Sequence, residues 1–154
     1  FRTMSSLVVV RDTRLKDLLV YWEMKRRGRQ MPEAGDLSPV DLGFILPNML
    51  WVEIEHEPRR YRYRRVGAEL ERIYGSSVEG MYIDEMPGFM YRRIASRAYA
   101  EVVDGREPVC RIQSFSMVSW FAKYERLLLP VTAGGDRVDV VLGAIVPEFG
   151  PRKS

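Results

Sequence analysis

The residues able to do chemistry are few. A single histidine, His56, stands between Glu55 and Glu57, and a single cysteine, Cys110, precedes Arg111. Structural zinc takes three or four Cys and His ligands, so the sequence argues against zinc. One turn histidine flanked by acids is also a poor haem ligand, and His56 reads as a surface residue. Acid pairs such as Asp84 with Glu85 have no histidine beside them to relay a proton. No GxSxG, Walker or dinucleotide glycine pattern is present. The expectation is a protein that is not an enzyme.

Arginine is the other reactive type. Arg59, Arg60, Arg62, Arg64 and Arg65 crowd into seven positions, alternating in part with Tyr61 and Tyr63. One reading makes Arg60, Arg62 and Arg64 an anion site for a nucleotide or nucleic acid. Arg60 and Arg64, followed by Ser77 and Gly80, are similar to the arginine pair and Ser-x-x-Gly of cyclic-dinucleotide receptors, although that motif takes Asp or Asn where Gly75 stands. The other reading makes the arginines the wet face of an edge strand, where charge blocks edge-to-edge pairing. A net charge of +3 is too mild to choose between them.

The elements that position these residues follow from periodicity. Tyr61 to Val66 alternates as a half-buried strand does, and Gly67 breaks it. Ala68 to Tyr74 has helical spacing, and Gly75 suits the left-handed residue past a helix end. Upstream, Asp12 or Thr13 caps a helix running to about Arg27, with Gly28 as its stop. Leu15, Leu18, Leu19 and Trp22 form one apolar stripe of that helix, and Val20, Tyr21 and Met24 lie roughly opposite. A helix apolar on two sides needs two partners. Val20, Tyr21 and Met24 are either covered within the chain or form a dimer interface. Ser38 and Pro39 open a short helix that Pro47 ends.

Met49 to Glu55 reads as the first strand and Phe89 to Asp104 as a long amphipathic helix ended by Gly105. Its expected buried side carries Met90, Tyr91, Ile94, Ala95, Ala98, Tyr99, Val102 and Val103. Three strands finish the chain, about Val109 to Val118, Phe121 to Thr132 and Arg137 to Val146. Gly134 and Gly135 mark a tight hairpin between the last two. The last strand is apolar on both faces and is therefore central. Two strands, several helices and three strands give an α+β, five-stranded antiparallel sheet with helices on one face, and the N-terminal helix covers the other. At 154 residues the chain fits one domain. Its segments are 1–11 as an N-terminal stretch, 12–47 as a helical extension, 48–147 as the core and 148–154 as a tail. Phe1 to Thr3 are set aside as preceding a natural start at Met4. One cysteine excludes an internal disulfide and no apolar run reaches membrane-spanning length, so a soluble, cytoplasmic protein is expected.

The strand and helix order over Asn48 to Val146 resembles that of a PAS domain. More narrowly, the chain resembles short bacterial single-domain PAS proteins. The motifs are Tyr21 with Trp22, Gly28 with Arg29, Pro32 and Asp36, Leu46 with Pro47, Tyr61 to Arg64 with Gly67, Tyr74 with Gly75, Gly80, and Leu127 to Pro130. The sequence departs from the pattern at Ala68 and Glu79. The resemblance implies a non-catalytic sensory or protein-interaction module in bacterial signal transduction with an unidentified signalling partner, and the two-faced helix adds the expectation of a homodimer. It also implies a place for a small apolar ligand between the sheet and the long helix, drawing on Tyr63, Met81, Met86, Phe89, Met90, Ile94, Met117 and Tyr124. The same residues would also serve as filled core. The cofactor is left unknown. A flavin-cysteine adduct is argued against, because Cys110 lies on the third strand and not at the helix opening where the related light sensors carry theirs.

Overall fold

In the computed structural model, residues 8–117 and 120–148 are described, without the side chains of 114–122 and 148. The elements are α1 (Thr13–Arg26), β1 (Met49–Glu55), β2 (Arg60–Val66), α2 (Ala68–Tyr74), α3 (Phe89–Gly105), β3 (Val109–Met117), β4 (Trp120–Val131) and β5 (Val140–Glu148). The sheet is antiparallel in the order β2-β1-β5-β4-β3, so β5 is central and β2 and β3 are the edges. This is the expected α+β arrangement.

The two faces of the sheet can be told apart on β4, because successive strand residues point to opposite sides. Arg111 pairs in register with Arg126, and its guanidinium reaches Glu101 on α3. Arg126 therefore shares the α3 face. Glu125, one residue earlier, accepts from the backbone N–H groups of Arg11 at 2.7 Å and Asp12 at 2.9 Å, directly before α1. Thus α1 covers the opposite face, as expected. Leu15, Leu18, Leu19 and Trp22 are buried there, and the Trp22 indole N–H donates to the Pro130 carbonyl at 2.8 Å.

Several segments differ from expectation. Asp12 caps α1 through its side chain, but the left-handed turn begins at Arg27, with φ of 51°, and continues through Gly28. Arg29 then folds back. It donates to the carbonyls of Arg26 at 2.8 Å and Lys25 at 2.9 Å, and to Asp36 at 2.8 Å. The last α1 carbonyls thus receive a cation that is itself neutralised. The helix expected from Ser38 to Pro47 is two short 3-10 turns, Pro39–Leu42 and Leu46–Asn48, because prolines at both starts remove the donors that a continuous helix would need. Helix α3 ends at Gly105, one residue later than expected, with Arg106 left-handed. The tight hairpin at Gly134 and Gly135 is instead a loop between Val131 and Val140, the last pair of the β4–β5 ladder. Its side chains set its length: Thr132 Oγ1 accepts from the N–H groups of Gly134 and Gly135, and Asp139 from that of Ala133.

The Leu46-Pro47 turn and Gly67 form a single contact. A Cβ on Gly67 would lie 2.3 Å from both the Leu46 and Pro47 carbonyl oxygens. Backbone oxygens cannot swing aside as a side chain can, so only glycine lets β2 end against that turn. Gly67→Ala is expected to cost about 1–3 kcal/mol of overpacking in urea denaturation. A loss under about 0.5 kcal/mol, the range of ordinary surface changes, would contradict this contact.

Candidate functional site

Between the sheet and α3 lies a layer of tyrosines. Tyr61 and Tyr63 come from β2, Tyr74 from the end of α2, and Tyr91 and Tyr99 from α3. Tyr63 is fully buried, and its hydroxyl meets that of Tyr91 in a very short hydrogen bond and that of Tyr99 at 3.2 Å. Tyr91 donates to Tyr74 at 3.2 Å. The rings pack edge-on or tilted, with Tyr74 and Tyr91 centroids 5.9 Å apart and Tyr61 and Tyr99 5.7 Å apart. Burial drives the hydroxyls of Tyr63, Tyr91 and Tyr99 well above the ordinary tyrosine value, so at neutral pH they are uncharged donors and acceptors.

Strand β4 closes one side of this layer. Tyr124 donates to Gln113 at 3.1 Å, and the Arg126 guanidinium lies beside its hydroxyl. Burial pushes the Tyr124 and Tyr99 hydroxyls up, and the positive charge of Arg126 opposes that in both. Arg126 is only 7% exposed, and its Nε is buried without a hydrogen-bond partner. On the other face Glu125, equally buried, takes the Cys110 thiol at 3.4 Å besides the two N–H groups before α1. Burial and the adjacent Glu125 carboxylate push the Cys110 thiol up to about 12. It is thus a protonated, half-buried donor.

A sheet of this strand order, with an arginine and tyrosine interior under one long helix, can be compared with known families. A family model described as PAS domain matches residues 10–146. The chain belongs to the PAS domain family. PAS domains generally serve as sensory or interaction modules in signalling. No curated protein matches the sequence. Among solved structures this PAS domain is similar to the PAS domain from Bordetella pertussis BvgS, with 14% identity, 86% of each chain covered and a TM-score of 0.46.

Of the expected ligand-lining residues, this PAS domain brings Tyr63, Met81, Met86 and Tyr124 to buried or half-buried positions. Phe89, Met90 and Ile94 do not join them, being 64%, 61% and 42% exposed. The buried stripe of α3 runs through Tyr91, Ala95, Ala98, Tyr99 and Val102, which leaves positions 90 and 94 on its flank. The Met117 side chain lies outside those described. The sequence reading missed Tyr74, Tyr91 and Tyr99 as a hydroxyl network, and Arg126 altogether. The signal was an adjacent Glu-Arg pair entering the Leu127 to Leu129 run, since one residue of such a pair must face inward on a covered strand.

Arg60, Arg62 and Arg64 of β2 are each engaged by groups of the chain itself. Arg60 and Arg62 both lie against the Tyr82 ring, at 3.7 and 5.5 Å, Arg60 pairing with Asp84 at 2.7 Å and Arg62 donating to the Gly80 carbonyl, while Arg64 pairs with Glu53 at 3.5 Å. Nor is the β2 edge open, because Tyr63 exchanges backbone hydrogen bonds with Gly80 and Met81, and Glu79 accepts from the Val66 N–H. His56 is half-buried and not a free surface residue. Its Nε2 lies 3.2 Å from Asp139, which joins the β1–β2 turn to the β4–β5 loop.

Val20 and Met24 are exposed at 58% and 62%. Tyr21 between them is half-buried, donating to Asp41 at 3.0 Å and accepting from the Ser38 N–H at 3.0 Å. Its hydroxyl thus joins α1 to the following turn within the chain.

Removing the acceptor at Glu125 frees two buried donors at the start of α1. In Glu125→Ala, amide hydrogen exchange at Leu15 through Leu19 should accelerate by roughly ten-fold or more, the equivalent of about 1.5–3 kcal/mol for hydrogen bonds to a charged group, while α3 keeps its protection. Equal acceleration in both helices, or none in α1, would mean that Glu125 does not anchor α1.

Proposed function

We propose that this PAS domain is a non-catalytic sensory module of bacterial signal transduction, working in the cytoplasm as a homodimer. Residues 48–147 form its sensing core and residues 12–47 an extension that carries the output, flanked by 1–11 and 148–154. A small ligand occupies the interior between the sheet and α3, among Tyr63, Met81, Met86 and Tyr124. The observation that supports this most is the buried Arg126 guanidinium, whose Nε has no hydrogen-bond partner, beside a layer of tyrosines that already bond one another. A buried polar atom costs desolvation unless a partner meets it, and a ligand with polar atoms is such a partner. No helix among the described residues is long and apolar enough to cross a membrane.

The route outward is short. A ligand that shifts Arg126 moves β4, and Glu125 on the same strand holds the residues that start α1. Val20 and Met24, exposed four residues apart on one α1 face, present that movement to a second copy. Protein purified without added ligand is expected to give a native mass spectrum of a dimer carrying extra small-molecule mass that disappears on denaturation. A bare chain mass would overturn the interior ligand, and a monomer would overturn the dimer.

A further inference from the structure

Arg126 has a charge that its surroundings do not balance. It points into the layer under α3, it is 7% exposed, and its Nε has no partner. No carboxylate lies within ion-pair distance of it among the described residues. Of the strand residues whose side chains are not described, 114–122 contain no Asp or Glu, and Glu148 pairs with Lys123, three positions along β5 from Ile145, the cross-strand partner of Arg126; an odd separation along a strand puts it on the other face of the sheet. The neighbouring carboxylate, Glu125, is committed on the other face to Arg11, Asp12 and Cys110. Arg111, the cross-strand neighbour of Arg126, is already neutralised by Glu101. The groups around Arg126 are the tyrosines, which burial keeps uncharged.

A buried charge without a counterion costs several kcal/mol, and a paired one far less. We propose that the interior site of this PAS domain binds a small organic monocarboxylate, whose carboxylate accepts from the Arg126 guanidinium while its carbon skeleton lies against the tyrosine rings. This rests on the sensory reading above and gives its ligand a charge. The features that select this class are each visible. One unbalanced positive charge calls for one negative charge, and a phosphate dianion would leave a surplus anion in a covered interior. The planar edge of a guanidinium, here with its Nε free, matches a planar carboxylate bidentately. Aromatic walls suit an apolar remainder.

The test compares acids with amides of the same shape. Acetate, butyrate and benzoate, each against acetamide, butyramide and benzamide, are titrated by calorimetry into protein that has been unfolded, dialysed and refolded to remove anything bound. At least one acid is expected to bind about 10- to 100-fold more tightly than its amide, the worth of charge-assisted hydrogen bonds. Arg126→Met should lose that preference while melting at the same temperature as the parent or higher, since it removes an unbalanced buried charge. Arg126→Lys should keep part of it.

Should Arg126→Met fail to fold, the acid-over-amide preference of the parent chain decides the matter alone. An amide binding as well as its acid would overturn the anion while leaving an interior ligand site intact. Binding by neither series would overturn this proposal, and the native mass spectrum would still judge the sensory reading independently. An acid preference that persists in folded Arg126→Met would place the anion elsewhere.

Discussion

The structure turns on two adjacent residues of β4 that carry opposite charges to opposite faces of one sheet. Glu125 receives the backbone N–H groups that precede α1, and Arg126 enters the tyrosine layer beneath α3. Strand pleating alone enforces this division. Glu125 thus ties β4 to the start of α1 by hydrogen bonds, while Arg126, one residue on, lies beside Tyr99 of α3 with its Nε unpartnered, so adjacent residues of one strand meet both covers. A covered sheet with two hydrophobic faces could slide against its helices at small cost, whereas hydrogen bonds to a buried carboxylate fix position.

Backbone fit supplies the second constraint. Gly67 ends β2 against the Leu46 and Pro47 carbonyls with no room for a Cβ, and Arg29 closes the end of α1 while paired with Asp36. These contacts give physical content to the Leu-Pro, Gly and Gly-Arg spacings that tied the sequence to its family. They are about how segments meet and not about ligand. The β2 arginines belong with them, since their partners Asp84, Glu53 and the Gly80 carbonyl fasten the 80–85 segment and β1 to the sheet edge.

How much was legible follows from what sequence patterns encode. The Tyr61 to Val66 alternation gave the direction of Tyr63 correctly because a strand has period two and one covered face. The apolar stripe of α1 was equally readable, with Leu15 and Trp22 buried and Val20 and Met24 outside. Helix α3 was harder. Its apolar residues span a wider arc than the sheet covers, so Met90 and Ile94 could not be told from Tyr91 and Ala95 by type. Arg126 was invisible as an interior residue because a charged side chain on a strand is ordinarily wet, and only the pairing of Arg111 with Glu101 shows which way the register turns. The β4–β5 loop was misjudged because two glycines suggest a tight turn, while the bracing by Thr132 and Asp139 is a tertiary fact.

The central claim is that β4 couples the α3 interior to the start of α1. The most direct measurement is the backbone amide chemical shifts of Arg11 and Asp12, compared by nuclear magnetic resonance between the parent chain and Arg126→Met. The account predicts shifts at both amides although the substitution lies on the opposite face, through the movement of Glu125 that accompanies it. Unchanged Arg11 and Asp12 amides, with perturbation confined to residues of the α3 layer, would contradict the coupling.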